Sequence, residues 1–312
     1  MLLTAYRLGR DALPQYSSRF SRKDFTLPQL FACLVLKEFE RKDYRGAEQL
    51  LLDCPSLGGA IGMPVPPDHT TLKRAADRLL TLPKARRLLD EMLGFARAAK
   101  VLGTHVALAA MDASGFEARH VSAYFVRRCK GDPRNLPKTP GVATTYRRFP
   151  KLALVVDAKT HLALSFVAGL TGPGPDHPHF ERALFEAWRR VPGRIRKLAA
   201  DAGYDAERLH ALARQDMGVA TLIPALIGRP TSKPPSTRWR RHMARLLRTR
   251  RGRRRSGYTQ RWQSETVNSM MKRNQGSALR ARTHRTRTRE LALRVLTHNI
   301  AVLRTEGRNR AG

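Results

Sequence analysis

Tyr258-Thr-Gln-Arg261-Trp-Gln-Ser-Glu265-Thr-Val-Asn-Ser-Met-Met-Lys272 holds the only carboxylate between Asp216 and Glu290, in the most arginine-dense part of the chain. An acid alone in such surroundings is either an isolated surface charge or a group whose negative charge is needed there. The spacing favours the second. Tyr258, Arg261, Glu265 and Lys272 stand at i, i+3, i+7 and i+14, so a helix over 258–274 sets a phenol, a guanidinium, a carboxylate and an ammonium along one stripe.

The rest of the chain says what such a stripe would meet. With 59 Lys+Arg against 25 Asp+Glu in 312 residues, a net charge of +34, self-repulsion calls for a polyanion, and nucleic acid is the default partner. A hydrophobic content of 42% with long apolar-periodic segments sets this chain apart from a basic tail. Its length accommodates two domains of about 150 residues each. The longest strongly apolar run, 30–36, falls far short of the about 20 residues that cross a bilayer. Residues 1–10 carry no apolar stretch ending at a small-residue cleavage site, so a cytoplasmic, nucleoid-associated protein without membrane contact is expected. Cys33, Cys54 and Cys129, odd in number and without a Cys-x-x-Cys pair, read as ordinary thiols.

Residues 1–100 read as an N-terminal helical, DNA-binding region. Apolar residues at 27, 30, 31, 34 and 35 have helical period, a second short helix covers 44–52, and Pro and Gly make 54–67 a loop. Asp68-His69-Thr70-Thr71 supplies cap-type residues ahead of a basic helix at 73–80, and another helix covers 83–98. The pattern suits a helix-turn-helix-like reader or a helical dimerisation module equally well.

From residue 105 the period changes. Apolar runs at 105–111, 151–156, 161–167, 196–200 and 219–223 have the length and flanks of strands, with 123–127 a further candidate, and Asp157-Ala-Lys-Thr160 marks a hairpin turn. Helices are expected at 178–190, 206–215, 258–274 and 287–305. Antiparallel strands followed by strands alternating with helices indicate an α/β fold, a mixed sheet flanked by helices, over 101–306. A basic insertion at about 228–256 interrupts it. Ten of the eighteen residues from Arg238 to Arg255 are arginine and none is acidic, which predicts an arm that stays flexible until it meets phosphate. Trp239, Arg240, Arg241 and Arg254 are its candidate DNA contacts; a solvated basic face is the competing reading.

Asp112 and Asp201 each end an apolar run, where a carboxylate is held rigidly at a crevice. Two such acids with one helical acid can hold two metal ions about 4 Å apart. A lone strand-end Asp is more often a turn residue, as Asp157 illustrates, and only the combination with Glu265 lifts Asp112 and Asp201 above that. Asp205 reads as the cap of the helix that follows, Glu117 as a strand-edge charge, and Asp176-His177-Pro178-His179 as a helix start rather than a metal cluster.

The Tyr258-x2-Arg261-x3-Glu265-x6-Lys272 pattern resembles the signature of insertion-sequence transposases with a DDE triad, in particular the IS4 and IS5 groups. Met111-Asp112-Ala-Ser-Gly115 is similar to their first acidic block and Ala200-Asp201-Ala-Gly-Tyr204-Asp205 to their second, so the resemblance covers roughly 105–305. It implies an RNase H-like catalytic domain in which Asp112, Asp201 and Glu265 are catalytic and bind two Mg2+ ions, with Mn2+ able to substitute. It further implies hydrolysis at the ends of a mobile element and attack of the freed 3′-OH on target DNA. Tyr258, Arg261 and Lys272 would contact end phosphates, and the partners would be double-stranded DNA, as element ends and target, and a second copy of the chain. Some IS4-type relatives carry a large β-rich insertion before the Glu helix; 224–257 is too short for one, and the compact IS5-like arrangement fits better. Trp239 and Trp262 are candidates to stack on an unpaired base. The rival expectations are an inactive, element-derived DNA-binding protein and an RNase H-like nuclease without strand transfer.

Overall fold

The structure, a computed structural model, describes residues 1–118, 149–172, 174–191, 193–226 and 235–309. Six helices come first: α1 (Leu2–Ala12), α2 (Leu27–Phe39), α3 (Tyr44–Asp53), α4 (Pro55–Gly59), α5 (His69–Leu79) and α6 (Leu82–Ala98). Their starts follow from capping chemistry. Thr26 and Gln29 form a reciprocal capping box at α2, and the Asp68 carboxylate accepts from the Thr70 and Thr71 amides at 2.7 and 3.0 Å at α5. Apolar on all sides, α2 is buried from Leu27 to Glu38 and packs against α1, α3, α5 and the C-terminal helix.

Five strands make the main sheet: β1 (Ala109–Gly115), β3 (Phe149–Asp157), β4 (Ala163–Gly172), β5 (Lys197–Ala199) and β6 (Ala220–Leu222), in the order β4-β3-β1-β5-β6. The β4, β3 and β1 strands pair antiparallel, while β5 pairs parallel with both β1 and β6. This mixed α/β sheet is consistent with an RNase H-like arrangement. A separate parallel pair joins β2 (Glu117–Ala118) to β7 (Ala278–Leu279). Asp157 makes the β3–β4 turn as expected, accepting from the Lys159 amide at 3.2 Å and the Thr160 hydroxyl at 2.7 Å. The candidate strand at 123–127 and Cys129 lie outside the described residues.

Helices cover both faces and one edge. Ser165 of β4 donates to the Ala183 carbonyl of α7 (Phe180–Arg190) at 2.6 Å, while residues of opposite pleat face α11 (Trp262–Gln275). The long α12 (His284–Asn309) closes the β4 edge: the Asn299 amide accepts from Ala163 N–H and donates to its carbonyl, both at 2.9 Å, which stops the edge from templating another strand. Between β5 and α11 run α8 (Glu207–Ala211), continued by a π-helical turn Leu212–Asp216, then α9 (Arg238–Leu246) and α10 (Arg250–Ser256). Among the described residues no helix is long and apolar enough to cross a membrane.

Three expectations change. The described part of the basic insertion is two docked helices rather than an unstructured arm, because acids of α8 and its approach neutralise its start: Glu207 accepts from the Trp239 and Arg240 amides at 2.9 and 3.1 Å, and Asp205 pairs with Arg240 at 2.8 Å. Asp205 therefore does not cap α8, whose cap residue is Ala206. In addition, β1 continues past Asp112 to Gly115, so that acid sits within the strand and not at its end.

The largest side chain that is fully buried belongs to Arg294 of α12. Its guanidinium donates to Glu38 of α2 at 3.0 Å, to Glu290 at 3.0 Å, and to the carbonyls of Gly276 and Ala278 at 2.6 and 2.8 Å. One cation thus ties the helical layer to the segment that follows α11. Replacing Arg294 with Leu removes the guanidinium shared by the buried Glu38 and Glu290 carboxylates and leaves Glu38 with Lys37 at 3.1 Å. We expect it to lower unfolding stability by about 3–5 kcal/mol in denaturant titrations, the range for breaking a buried pair from one side.

Candidate active site

Parallel pairing of β1 and β5 matches Ala109 with Leu198 and Ala110 with Ala199. The pairing ends there, Asp112 and Asp201 each follow two residues after the last matched pair, and the Asp201 charge acts on Asp112. Asp201 is then held by the turn it begins, its carboxylate accepting from the Gly203 amide at 2.9 Å. On the other side, Asn268 of α11, only 5% exposed, donates its amide to Asp112 Oδ2 at 3.0 Å. Glu265 lies three residues earlier on the same helix, so the contact that docks α11 on β1 also brings the third acid over the first.

The approach of α11 is fixed at both ends. Lys197 of β5 donates to the Ser256 carbonyl at 3.1 Å, Gly257 takes φ of 87°, a left-handed turn suited to glycine, and His161 of the β3–β4 turn bonds Gln263 at 2.7 Å. At the far end, Arg41 donates to the Asn274 carbonyl at 2.9 Å and to the Arg273 carbonyl. The N-terminal helical layer therefore caps the helix that carries Glu265.

Glu265, Asn268, Ser269, Lys272 and Arg273 line one stripe of α11 and face Asp112 and Ser114 across a cleft of about 470 Å³, with Ser277 at its end. Burial is the main cause that pushes the Asp112 carboxyl up to about 6, with the charges of Asp201 and Glu265 adding to it. The Asn268 amide opposes the rise. Asn268 Oδ1, by contrast, is buried without a hydrogen-bond partner, as is the Tyr204 hydroxyl. The Tyr204 phenol is pushed up by burial first and then by Asp176, Asp112 and Asp201.

Of the sequence-derived candidates, Asp112 and Glu265 line this cleft together with Lys272, and Asp201 acts on Asp112 from the turn after the neighbouring strand. Tyr258 and Arg261 form a 3-10 turn just ahead of α11 rather than part of it. Burial raises the Tyr258 phenol, Arg261 opposes the rise and Asp201 adds to it, which places Tyr258 near that acid. Arg261 contacts Glu265 directly; burial disfavours its charge, but this pairing outweighs burial and raises the guanidinium. The Lys272 ammonium sits 5.3 Å from the Phe116 ring centre.

The insertion residues are engaged elsewhere. Trp239 lies between the guanidiniums of Arg214 and Arg238, 4.7 and 4.5 Å from its ring centre, which leaves its faces covered. Arg240 pairs with Asp205 and Arg241 donates to the Ser236 carbonyl, while the Arg254 side chain is exposed. Trp262 is 53% exposed and remains open to a stacking partner. Glu117 lies in β2, and Asp176 pairs with Lys151 rather than joining a histidine cluster. Sequence reasoning missed Asn268, Ser269 and Arg273; their spacing of three, four and eight residues from Glu265 was the available signal.

Among the described residues no three His, Cys, Asp or Glu groups converge closely enough to hold a metal ion. The reason is visible in Glu265, whose carboxylate turns to Arg261 and is 52% exposed. The donor set still suits a divalent cation: hard carboxylate oxygens are carried by β1, by the turn after β5 and by the facing helix, and burial, with the charges of Asp201 and Glu265 added, holds Asp112 well above the ordinary carboxylate range.

The family described as the transposase DDE domain matches residues 107–300. No curated protein matches the chain. The matched span begins just before β1 and ends inside α12, so it contains all three acids.

The raised carboxyl has a consequence for stability. Because the folded protein holds the Asp112 proton more tightly than the unfolded chain, ionising this group weakens the fold; the penalty is absent below about pH 4 and fully present above about pH 6. Asp112→Asn is expected to be more stable than the parent at about pH 8 in EDTA, by roughly 1–3 kcal/mol. The gap should close as the pH falls to about 4. Urea titrations across that range check it, and a gap that widens on acidification would contradict the assigned sign.

Proposed function

Because the chain belongs to the transposase DDE-domain family over residues 107–300, we propose that it is an insertion-sequence transposase that cuts element ends and joins the freed 3′-OH to target DNA. The observation that best supports this reading is the cleft in which Asp112 faces Glu265, with Asp201 just after the strand that pairs with β1. Asp112, Asp201 and Glu265 would hold Mg2+, or Mn2+ in its place. When bound, two such ions supply charge neutralisation at the attacking and leaving oxygens of an in-line phosphoryl transfer.

The protein's own groups prepare that chemistry. Asn268 holds Asp112 in one orientation. Tyr258, Arg261 and Lys272 present a phenol, a planar guanidinium and a point charge to the phosphates of an element end. Arg261 faces a choice between Glu265 and phosphate. In the DNA-free protein it pairs with Glu265; a phosphate that takes over the guanidinium frees the carboxylate to turn toward Asp112. Substrate arrival then completes the acidic set.

The segment 224–257 forms only two short helices in its described part, which supports a compact, IS5-like type. On this reading residues 1–100 are a DNA-binding region and 101–306 the catalytic domain, working in the cytoplasm on nucleoid DNA as a homodimer that pairs two ends.

Two measurements test the proposal. Asp112→Asn, Asp201→Asn and Glu265→Gln should each cut Mg2+-dependent nicking at the element's own termini by about 1,000-fold, a loss of roughly 4 kcal/mol at the transition state. End binding should stay within about threefold. Joined products in a strand-transfer assay separate a transposase from a plain nuclease, and nicking that survives in any of the three variants would remove that acid from the site. Independently, Arg261→Ala should weaken binding to an end duplex by about tenfold, as loss of one charge-assisted phosphate contact implies, while tightening Mn2+ binding by the DNA-free protein.

A further inference from the structure

We propose that a second duplex-binding surface lies beyond the cleft, on the N-terminal helices and the start of α12, and that it grips the sugar-phosphate backbone of DNA flanking the cut. It rests on the reading of the cleft as the cutting site only for its role in the reaction, not for its ability to bind.

The surface is joined to the cleft by backbone contacts. Arg273, exposed at the cleft rim, gives its carbonyl to Arg41, and Arg280 donates in turn to the Arg41 carbonyl. Directly after Arg41 come Lys42 and Arg45, both exposed. The acid between them, Asp43, is taken up by the cap of α3, where it accepts from Gly46 N–H at 2.7 Å.

Next to α3 packs α5, whose buried side is Leu72, Ala75, Ala76 and Leu79. Its outer side carries Lys73, Arg74 and Arg78. Asp77 holds Lys73 at 2.7 Å and also contacts Arg289 of α12, so the one acid on this face is already doubly paired. Among the described residues, the Arg74 and Arg78 side chains have no hydrogen-bond or ion-pair partner, and both are exposed. Arg282 and Arg285 repeat the situation where α12 begins, and Arg285 stands one turn before Arg289 on the same side of that helix. The nearby acid Glu290 is occupied by the Arg280 and Ala281 amides at 3.0 and 2.8 Å and by Arg294.

Asp43, Asp77 and Glu290 are thus bound internally, which leaves Asp24 and Glu40 as the exposed acids beside a larger number of guanidiniums that point to solvent. The basic insertion is different, since several of its cations and its tryptophan are engaged by the protein. A groove of about 520 Å³ runs beside α5, where Arg74 and Arg78 meet Ser17, Ser21 and Arg22, with Asp24 and Asp77 also on its wall. Hydroxyls and guanidiniums together are the donors that backbone contacts to a duplex use, and a polyanion is the one partner that this density of unpaired positive charge accommodates.

The test reads binding in EDTA by fluorescence anisotropy, with a duplex of about 30 base pairs and salt from about 50 to 200 mM. Each phosphate contact contributes roughly 0.9 to the slope of log affinity against log salt. The variant Arg74→Ala/Arg78→Ala should therefore lose about 2 from that slope and bind about tenfold more weakly at mid-range salt. Arg282→Ala/Arg285→Ala should behave alike, and Arg74→Lys/Arg78→Lys should restore most of the loss. A duplex of about 10 base pairs that reaches only the cleft should show no difference between parent and variant. Unchanged slope and affinity in both alanine pairs would overturn the proposal. So would a shift in elution volume with an unchanged slope, which would make this face a contact between copies of the chain. If the parent cuts nothing with Mg2+ but the slope still falls, the cutting proposal fails and this surface stands; cutting without any fall in slope gives the reverse.

Discussion

Asp112 is a buried carboxylate held against like charge. A second carboxylate stands just after the adjoining strand and a third on the facing helix, and burial and both charges raise the energy of its charged form. Such a group is held in place by the sheet rather than by its own preference: seven paired residues with β3 and the parallel contact with β5 leave it no alternative position. Among the described residues the groups that relieve it are neutral, the backbone amide of Ala113 and the side-chain amide of Asn268. Among the described residues no cation pairs directly with Asp112, and Arg261, in the turn ahead of α11, and Lys272, on the helix itself, are engaged with other groups. Arg261 takes Glu265, and Lys272 rests near the Phe116 ring. This division leaves room for an external cation between the acids and keeps protein cations where phosphate would lie.

The geometry that produces this tension is shared between parts of the chain far apart in sequence. From Glu265 to Arg273 the helix is about 12 Å long, and its two ends are set by different elements. Its start depends on Lys197 of β5 and His161 of the hairpin; its end depends on Arg41 from the helical layer, backed by Arg294. A helical layer that only tethered DNA would need no contact with the acid helix. Here the residue that ends α2 and the guanidinium buried beneath it fix where α11 stops, so the N-terminal helices are part of the frame that holds Glu265.

Much of this was legible in the residues. Periodicity found the strands that make the sheet because β-rich apolar runs of four to seven residues leave little ambiguity, and the hairpin at Asp157 declared itself through turn chemistry. The spacing of Glu265 to Lys272 also survived, since both positions lie on one α-helix. Tyr258 and Arg261 did not keep that register, because Gly257 forces a left-handed turn and a 3-10 segment precedes the helix. What could not be read was partnership. Nothing local says that Asp205 and Glu207 will hold the start of α9, or that the Arg214 guanidinium will lie 4.7 Å from the Trp239 ring centre, because those contacts join residues far apart in sequence. For the same reason Asn268 passed unnoticed: its significance comes from Asp112, 156 residues earlier.

Charge provides the last link between fold and activity. With 25 acids against 59 basic residues, an acidic side chain in this protein almost always has a cation within reach. Glu38, Asp77, Asp90, Asp176, Glu186, Glu207 and Glu290 all bind cations or amides that hold helices together. Asp112 is held by neutral amides, those of Asn268 and Ala113. Were it a structural acid, folding would be more favourable with a basic residue where Asn268 stands, since a Lys or Arg there would neutralise the carboxylate and remove the penalty that burial imposes. Such a residue would also fill the cleft with positive charge and leave nothing for a metal ion to neutralise. The choice of a neutral amide, with one of its own polar atoms left without a partner, is what a site costs when its acids must stay available, and it argues that the pocket is kept for a ligand rather than for the stability of the fold.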